Sequence, residues 1–193
     1  MINRYFATIL TASLLLAVPL AGFCKATADD GLKVVIIRHG EKPENGDNLS
    51  CQGENRALQL PAVLYRKFGS PDYTYVPSLS LEDATKHARM FQTVSPFAIQ
   101  YNLTINSKYD EKKVADVAKS VKKKTGTVLL VWEHSAIPDL AKALGVKNPP
   151  DWGGHDFDSI WIVTYDQGEA RLSFDQEGLQ PAATCESAAA TTN

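Results

Sequence analysis

The sequence predicts an α/β fold, specifically a three-layer α/β/α arrangement around a mainly parallel central sheet. Two apolar runs carry this prediction: residues 34–37, which are four β-branched residues in succession, and residues 127–132. Uninterrupted runs of this kind are typical of strands that are buried on both faces of a parallel sheet. Segments with apolar residues at helical spacing lie between the two runs, and strands that alternate with helices indicate an α/β protein.

The remaining elements follow from local patterns. In chain order they are a helix at 52–68, a strand at 73–77, a helix at 85–101, a strand at 103–105, a helix at 110–124, a helix at 138–144, and a hairpin of strands at 158–165 and 169–174. Pro61 interrupts the first helix, so a kink or a late start is expected there. Together they form one domain over residues 29–179, and the Ala-, Ser- and Thr-rich residues 180–193 are predicted to be disordered apart from any tether at Cys185.

Composition excludes some classes of partner. The chain has 193 residues, of which 44% are hydrophobic and 22% charged, as is ordinary for a globular domain with its own core. Because 20 basic residues face 22 acidic ones, there is no basic excess to favour nucleic acid.

The N-terminus reads as a secretory signal peptide over residues 1–28. One arginine, Arg4, precedes an apolar run at 6–20, and small residues follow, with cleavage expected after Ala28 or, as second choice, after Ala26. A retained membrane anchor is the alternative, but the run is short for a span of roughly 20 residues. The mature protein is therefore predicted to be periplasmic or secreted, with no membrane span.

Two cysteines, Cys51 and Cys185, remain after cleavage. In an oxidising compartment an even pair favours one disulfide, which would tie the C-terminal segment to the region after the first strand. Two free thiols are the open alternative.

Each of the two apolar runs is followed directly by residues that can bind a ligand or take part in catalysis. Arg38, His39 and Gly40 follow the first run, and Glu133 and His134 follow the second. Ligands in α/β sheets bind outside the carboxyl ends of the strands, so two parallel neighbours would present both histidines at one edge. A lone histidine is more often structural, whereas this paired placement favours a functional site.

Three segments resemble the histidine phosphatase superfamily, also called the phosphoglycerate mutase-like family. The Arg38-His39-Gly40-Glu41 run resembles its signature, residues 85–93 resemble its second segment, in which Arg89 precedes a Gln-Thr pair, and residues 133–138 resemble its third. The three segments stand in the family's order, and the resemblance covers roughly residues 32–165.

The resemblance implies a role for each matching residue. His39 would attack phosphorus and form a phosphohistidine, which water then hydrolyses. Arg38 and Arg89, with His134 as a further donor, would bind the phosphoryl oxygens. Gly40 would let the backbone turn closely beneath the phosphate. The expected partner is a small phosphorylated substrate, and neither a metal nor a cofactor is needed.

The proton donor stays open at this point. Glu133 stands where the family usually has a small residue, and it is either the donor or a supporting partner of the histidines. Adjacent residues at a strand end tend to point to opposite sides, which favours the supporting role. Glu41 would either support the pocket arginines or face solvent.

Two surrounding regions are less distinctive. The short interval between the second and third segments holds Asp110 and Glu111 without a recognisable motif. His155 and Asp156 could border the substrate mouth, although a purely structural place in their loop is at least as plausible.

Three functions are weighed on this basis. The first is a phosphomonoesterase that acts on small esters such as sugar phosphates, including those of the lipopolysaccharide core; the short scaffold disfavours a phosphoglycerate mutase. The second is a non-catalytic envelope protein that binds phosphate or phosphorylated ligands. A metal hydrolase ranks last because its four histidines show no ligand spacing. These are His39, His87, His134 and His155.

Overall fold

A computed structural model describes residues 31–79 and 87–185. The strands within these residues are β1 (Leu32–Arg38), β2 (Tyr73–Tyr75), β3 (Ile105–Asn106), β4 (Gly126–Trp132), β5 (Ser159–Asp166) and β6 (Glu169–Gln176). The helices are α1 (Cys51–Phe68), α2 (Ala88–Tyr101), α3 (Val114–Val121) and α4 (Ile137–Leu144).

The strands form one sheet in the order β3-β2-β4-β1-β5-β6. β1 pairs in parallel with β4, β4 with β2, and β2 with β3, whereas β5 runs antiparallel to both β1 and β6. The predicted α/β class and the mainly parallel sheet are therefore confirmed. The two longest apolar runs occupy the sheet centre, where the sheet covers both of their edges and helices cover both of their faces.

Helices cover the two faces of the sheet in pairs. Alternate residues of β1 divide between two buried clusters, with Val34 and Ile36 on one side and Val35 and Ile37 on the other. The first cluster includes the apolar sides of α3 and α4, and the second includes those of α1 and α2. This division makes the three layers of the predicted architecture.

Helix boundaries differ from the predicted ones where side chains bind backbone groups. α1 begins at Cys51, because the Ser50 hydroxyl accepts a hydrogen bond from the Gly53 amide at 3.2 Å, and the helix continues through Pro61. α3 begins only at Val114, since the Asp110 carboxylate accepts a bond from the Lys112 amide at 3.0 Å and holds a turn there.

The C-terminal segment is fastened to the start of α1. Cys51 and Cys185 form a disulfide, and the Asn55 side chain donates to the carbonyl oxygens of Ala182 and Thr184 at 2.8 and 3.0 Å. Residues 186–193 and the predicted signal peptide at 1–28 lie outside the described residues, so both predictions stand as they are. No helix within residues 31–79 and 87–185 is long and apolar enough to cross a bilayer.

Candidate active site

The pairing of β1 with β4 places the candidate site. Arg38 lies opposite Trp132 in the parallel register, and the His39 amide donates to the Trp132 carbonyl at 3.2 Å. His39 therefore leaves the sheet beside Glu133 and His134. The expectation that the two strands are parallel neighbours, and that their histidines share one edge, is confirmed.

The His39 ring is held so that one nitrogen faces the site. The side chain is fully buried, and Nδ1 lies 2.6 Å from the Gly40 carbonyl oxygen. A carbonyl oxygen only accepts hydrogen bonds, so Nδ1 is the donor. Nε2 lies 2.8 Å from Oε2 of Glu133, so this nitrogen is directed at the residue that follows β4.

Glu133 bridges the two histidines. Its Oε2 contacts His39, and its Oε1 contacts Nδ1 of His134. Burial alone would raise the pKa of Glu133, but the hydrogen bond from His39 and the charges of His39, His134 and Arg38 outweigh it and lower the pKa to about 2. The carboxylate is therefore ionised. Burial, together with the charge of Arg38, lowers the pKa of His134.

Strand alternation does not apply at this pair of residues. β4 ends at Trp132, and Glu133 and His134 form the turn that leads into α4. The amides of Ala136 and Ile137 donate to the Glu133 carbonyl at 3.0 and 3.2 Å, which closes that turn. Both side chains can therefore reach the same site, contrary to the expectation that they would point to opposite sides.

Arg38 keeps part of its guanidinium available. Nη1 donates to the carbonyl oxygens of Gly154 and Asp156 at 2.8 and 3.1 Å, and the guanidinium stacks 3.8 Å from the centre of the Phe157 ring. Nε is buried and has no hydrogen-bond partner among the described residues. Burial is the main cause that lowers the pKa of Arg38. A buried donor without an acceptor is unfavourable, and a bound anion would satisfy it.

The second segment joins the site through its Gln-Thr pair. Thr93 accepts from the Gly40 amide at 2.9 Å and donates to the Arg89 carbonyl at 2.7 Å, while the Gln92 side chain accepts from the Leu49 amide at 3.0 Å. Arg89 lies one turn before Thr93 in α2, and its charge is among the causes that lower the pKa of Arg38. Thr85 and Lys86 of this segment lie outside the described residues.

Gly40 packs closely on the first turn of α1, and its expected place beneath a bound phosphate stays a prediction. A Cβ atom at Gly40 would lie 2.9 Å from the Gly53 carbonyl oxygen, and one at Gly53 would lie 2.2 Å from the Glu41 carbonyl oxygen. The two glycines let the first turn of α1 pack directly against the loop after β1. Gly53 was not singled out from the sequence, since a glycine near a helix start has many causes.

Glu41 does not face solvent, and it supports Arg38 only through its charge, because the hydrogen bonds of its carboxylate are with Arg56. It is buried and bonds Arg56, whose Nη2 donates at 2.8 Å, and Nη1 of the same guanidinium donates to Glu177 at 2.5 Å. Asp158 lies 3.6 Å from Arg56 as well. This cluster was not predicted from the sequence. The one available signal is that Arg56 lies on the buried side of α1, where a charged residue needs a partner.

The loop at 151–157 covers Arg38 through its backbone and one ring. His155 is exposed. The Asp156 carboxylate accepts hydrogen bonds from the amides of Asp158 and Ser159 at 3.0 Å, so its role in the loop is structural. Phe157, which the sequence did not single out, lies beneath Arg38 and edge-on to His39 with ring centres 6.1 Å apart.

The four histidines of the metal hypothesis are not brought together. His87 contacts Glu111 at 2.6 Å, and the exposed loop holds His155. Among residues 31–79 and 87–185, no group of three or more His, Cys, Asp or Glu side chains is placed to hold a metal ion.

The comparisons with known proteins rest on structure. No family model and no curated protein matches the sequence. A mycobacterial glucosyl-3-phosphoglycerate phosphatase, solved with inorganic phosphate, superposes with a TM-score of 0.53 at 16% identity, over 78% of this chain and 97% of its own. An Escherichia coli protein, provisionally assigned as an alpha-ribazole-5'-P phosphatase, gives a TM-score of 0.51 at 12% identity, over 80% and 98%. This chain therefore has the fold of the histidine phosphatase superfamily.

Proposed function

We propose that the protein is a phosphomonoesterase that hydrolyses small phosphate esters through a phosphohistidine on His39. The observation that carries the proposal is the orientation of the buried His39 ring: Nδ1 donates to the Gly40 carbonyl, and Nε2 is directed at Glu133, which also contacts His134. A nucleophilic imidazole needs this arrangement, because the lone pair must be on the nitrogen that faces the substrate.

The cations around Nε2 support phosphoryl transfer. The buried Nε of Arg38, which has no acceptor within residues 31–79 and 87–185, can donate to a phosphoryl oxygen, and Arg89 and His134 add positive charge or donors from two other segments. Fixed donors aimed at the equatorial oxygens stabilise the transition state most, because the negative charge spreads over those oxygens. The mycobacterial structure with the same fold is that of a phosphatase with inorganic phosphate.

The substrate and the compartment are part of the proposal. Candidate substrates are small phosphate esters, among them sugar phosphates. A periplasmic or secreted location agrees with the Cys51–Cys185 disulfide, since disulfides persist in oxidising compartments.

Replacement of the nucleophile tests the function. With p-nitrophenyl phosphate as probe, wild-type protein should turn over and His39→Ala should lose at least about 10⁴-fold in kcat, because the covalent route is removed. Circular dichroism should show that the variant is folded. Activity that survives in His39→Ala would contradict the mechanism, and wild-type protein that binds inorganic phosphate without turnover would favour the non-catalytic envelope protein.

A further inference from the structure

The Glu133 carboxylate makes the contacts that a phosphoryl group would make. One oxygen meets Nε2 of His39, the other meets Nδ1 of His134, and the charge of Arg38 acts on the same carboxylate. An anion thus already lies in front of the nucleophilic nitrogen in the free protein. Its side chain is one-fifth exposed, which leaves it space to swing aside.

We propose, on the basis of the function proposed above, that Glu133 holds the phosphate position in the free enzyme and then carries the proton of both chemical steps. The contact between Nε2 and Oε2 requires one proton between two atoms, because a carboxylate and a bare imidazole nitrogen both only accept. Because the Glu133 carboxylate is ionised, this proton lies on Nε2 of His39 in the free protein.

A single proton transfer prepares the first step. When the ester's phosphoryl group enters, the proton moves from Nε2 to Glu133, so the nitrogen gains its lone pair and the glutamate becomes an acid. Nε2 then forms the N–P bond while the ester P–O bond breaks. The leaving oxygen takes the proton from Glu133 and departs as the alcohol.

The second step hydrolyses the phosphohistidine and restores the protonation of His39 and Glu133. The Glu133 carboxylate removes a proton from water as the water oxygen bonds to phosphorus. The N–P bond breaks, its electron pair returns to Nε2, and phosphate leaves. The proton then moves back from Glu133 to His39, which restores the bridge seen in the free protein.

Other carboxylates near this edge of the sheet have different partners. Glu41 bonds Arg56, Asp156 caps the start of β5, and Glu111 contacts His87. Among the described residues, Glu133 is the carboxylate that contacts the His39 ring. This contact, rather than its position in the chain, assigns the proton to Glu133.

Glu133→Gln separates the two parts of the proposal. The amide removes the charge and the titrating proton but keeps the shape. Titration calorimetry should show inorganic phosphate binding at least about tenfold more tightly, since the competing negative charge is gone. Turnover of an alkyl phosphate should fall about 10²- to 10⁴-fold, because its poor leaving group needs the acid. A purely structural role for Glu133 would not make binding tighter while turnover falls.

An aryl phosphate resolves the two chemical steps. Nitrophenolate leaves without an acid, so Glu133→Gln should release about one equivalent in a burst and then stall. A base-stable phosphohistidine should accumulate, because water lacks its base. Glu111→Gln is the matched control, since it also neutralises a carboxylate that contacts a histidine; it should leave both activities and phosphate affinity within about twofold.

Several results would overturn the proposal. Unchanged turnover of both esters in Glu133→Gln would remove the proton-transfer role, and so would equal losses on both esters without a burst. Unchanged or weaker phosphate binding would remove the claim that the carboxylate holds the phosphate position. Wild-type protein that hydrolyses neither ester would instead contradict the proposed function and the proton-transfer role with it, while the binding measurement would still decide the placement of the carboxylate.

Discussion

Two buried charged clusters begin within a few residues of each other in the chain, and they differ in whether the hydrogen bonds of their arginine are satisfied within the protein. The first joins Arg38 to His39, Glu133 and His134, and the second joins Arg56 to Glu41 and Glu177. In the first, a buried Arg38 donor has no partner among the described residues and the carboxylate is partly exposed. In the second, Arg56 is bonded by two carboxylates and is almost completely buried.

The difference shows which buried charges are available for chemistry. A guanidinium whose bonds are made within the protein holds elements together, and Arg56 joins the loop after β1 to α1 and to the end of β6. A guanidinium with a spare buried donor is prepared for an acceptor that arrives later. The Arg38-to-Glu41 run thus contributes to both clusters. Arg38 and His39 belong to the candidate site, and Glu41 belongs to the structural cluster around Arg56.

The largest expected effect is on stability, from Arg56→Met. Glu41 would stay buried without its cation and Glu177 without its hydrogen-bond donor, so the free energy of unfolding should fall by about 3–5 kcal/mol. Urea denaturation measures it. Arg66→Met, an exposed position on the same helix, is the control and should change stability by no more than about 0.5 kcal/mol. If both variants change the free energy of unfolding by a similarly small amount, Arg56 does not hold the fold together and the contrast with Arg38 fails.

Arg38→Met should show the opposite pattern. The kcat/KM for an aryl phosphate should fall about 10²- to 10³-fold, because a preorganised donor to the phosphoryl oxygens is lost. Stability should change by at most about 1 kcal/mol, since the exposed Gly154 carbonyl can accept from water instead. The comparison fails if this variant unfolds as readily as Arg56→Met and, once folded, has normal activity.

The third expected effect is on the pH dependence of stability. Burial raises the pKa of Glu177 to about 8, while the charge and hydrogen bond of Arg56 oppose that change. Between about pH 5 and pH 8 the folded chain therefore keeps a proton that the unfolded chain releases, so this carboxyl group makes stability fall as pH rises.

Glu177→Gln sharpens the comparison because it removes this titration. The variant should lose less stability than the wild type between those two pH values. Urea titrations of both proteins at each pH give the difference. An equal loss in the two proteins would show that Glu177 is already ionised in the folded protein, because the group would then bind no proton in either state over this range.

Local patterns in the chain were sufficient to predict the architecture and to identify the two histidines of the candidate site. Buried β-branched runs identified β1 and β4, and their abrupt ends identified His39 and His134. β2 is two residues shorter than the strand predicted at 73–77, and β3 starts two residues later and ends one residue later than the strand predicted at 103–105. Short strands depend on their neighbours more than on their own pattern.

The contacts between distant side chains could not be predicted in the same way. Arg56 and Glu177 are 121 positions apart, and Phe157 reaches Arg38 from the other end of the domain. Glu133 was an open question because the alternation rule describes strands, and the residue lies in the turn just beyond one.

By itself, the amino-acid sequence determined that a parallel sheet would form and that two histidines would leave it at one edge, because the hydrophobic pattern of a buried strand sets its length and end point. Only the tertiary structure decided that Nε2 of His39 meets Glu133, that Gly40 packs on Gly53, and that Arg56 rather than Arg38 bonds Glu41. These contacts depend on strand register and helix packing to within an ångström, and no local pattern encodes distances between segments more than ten residues apart.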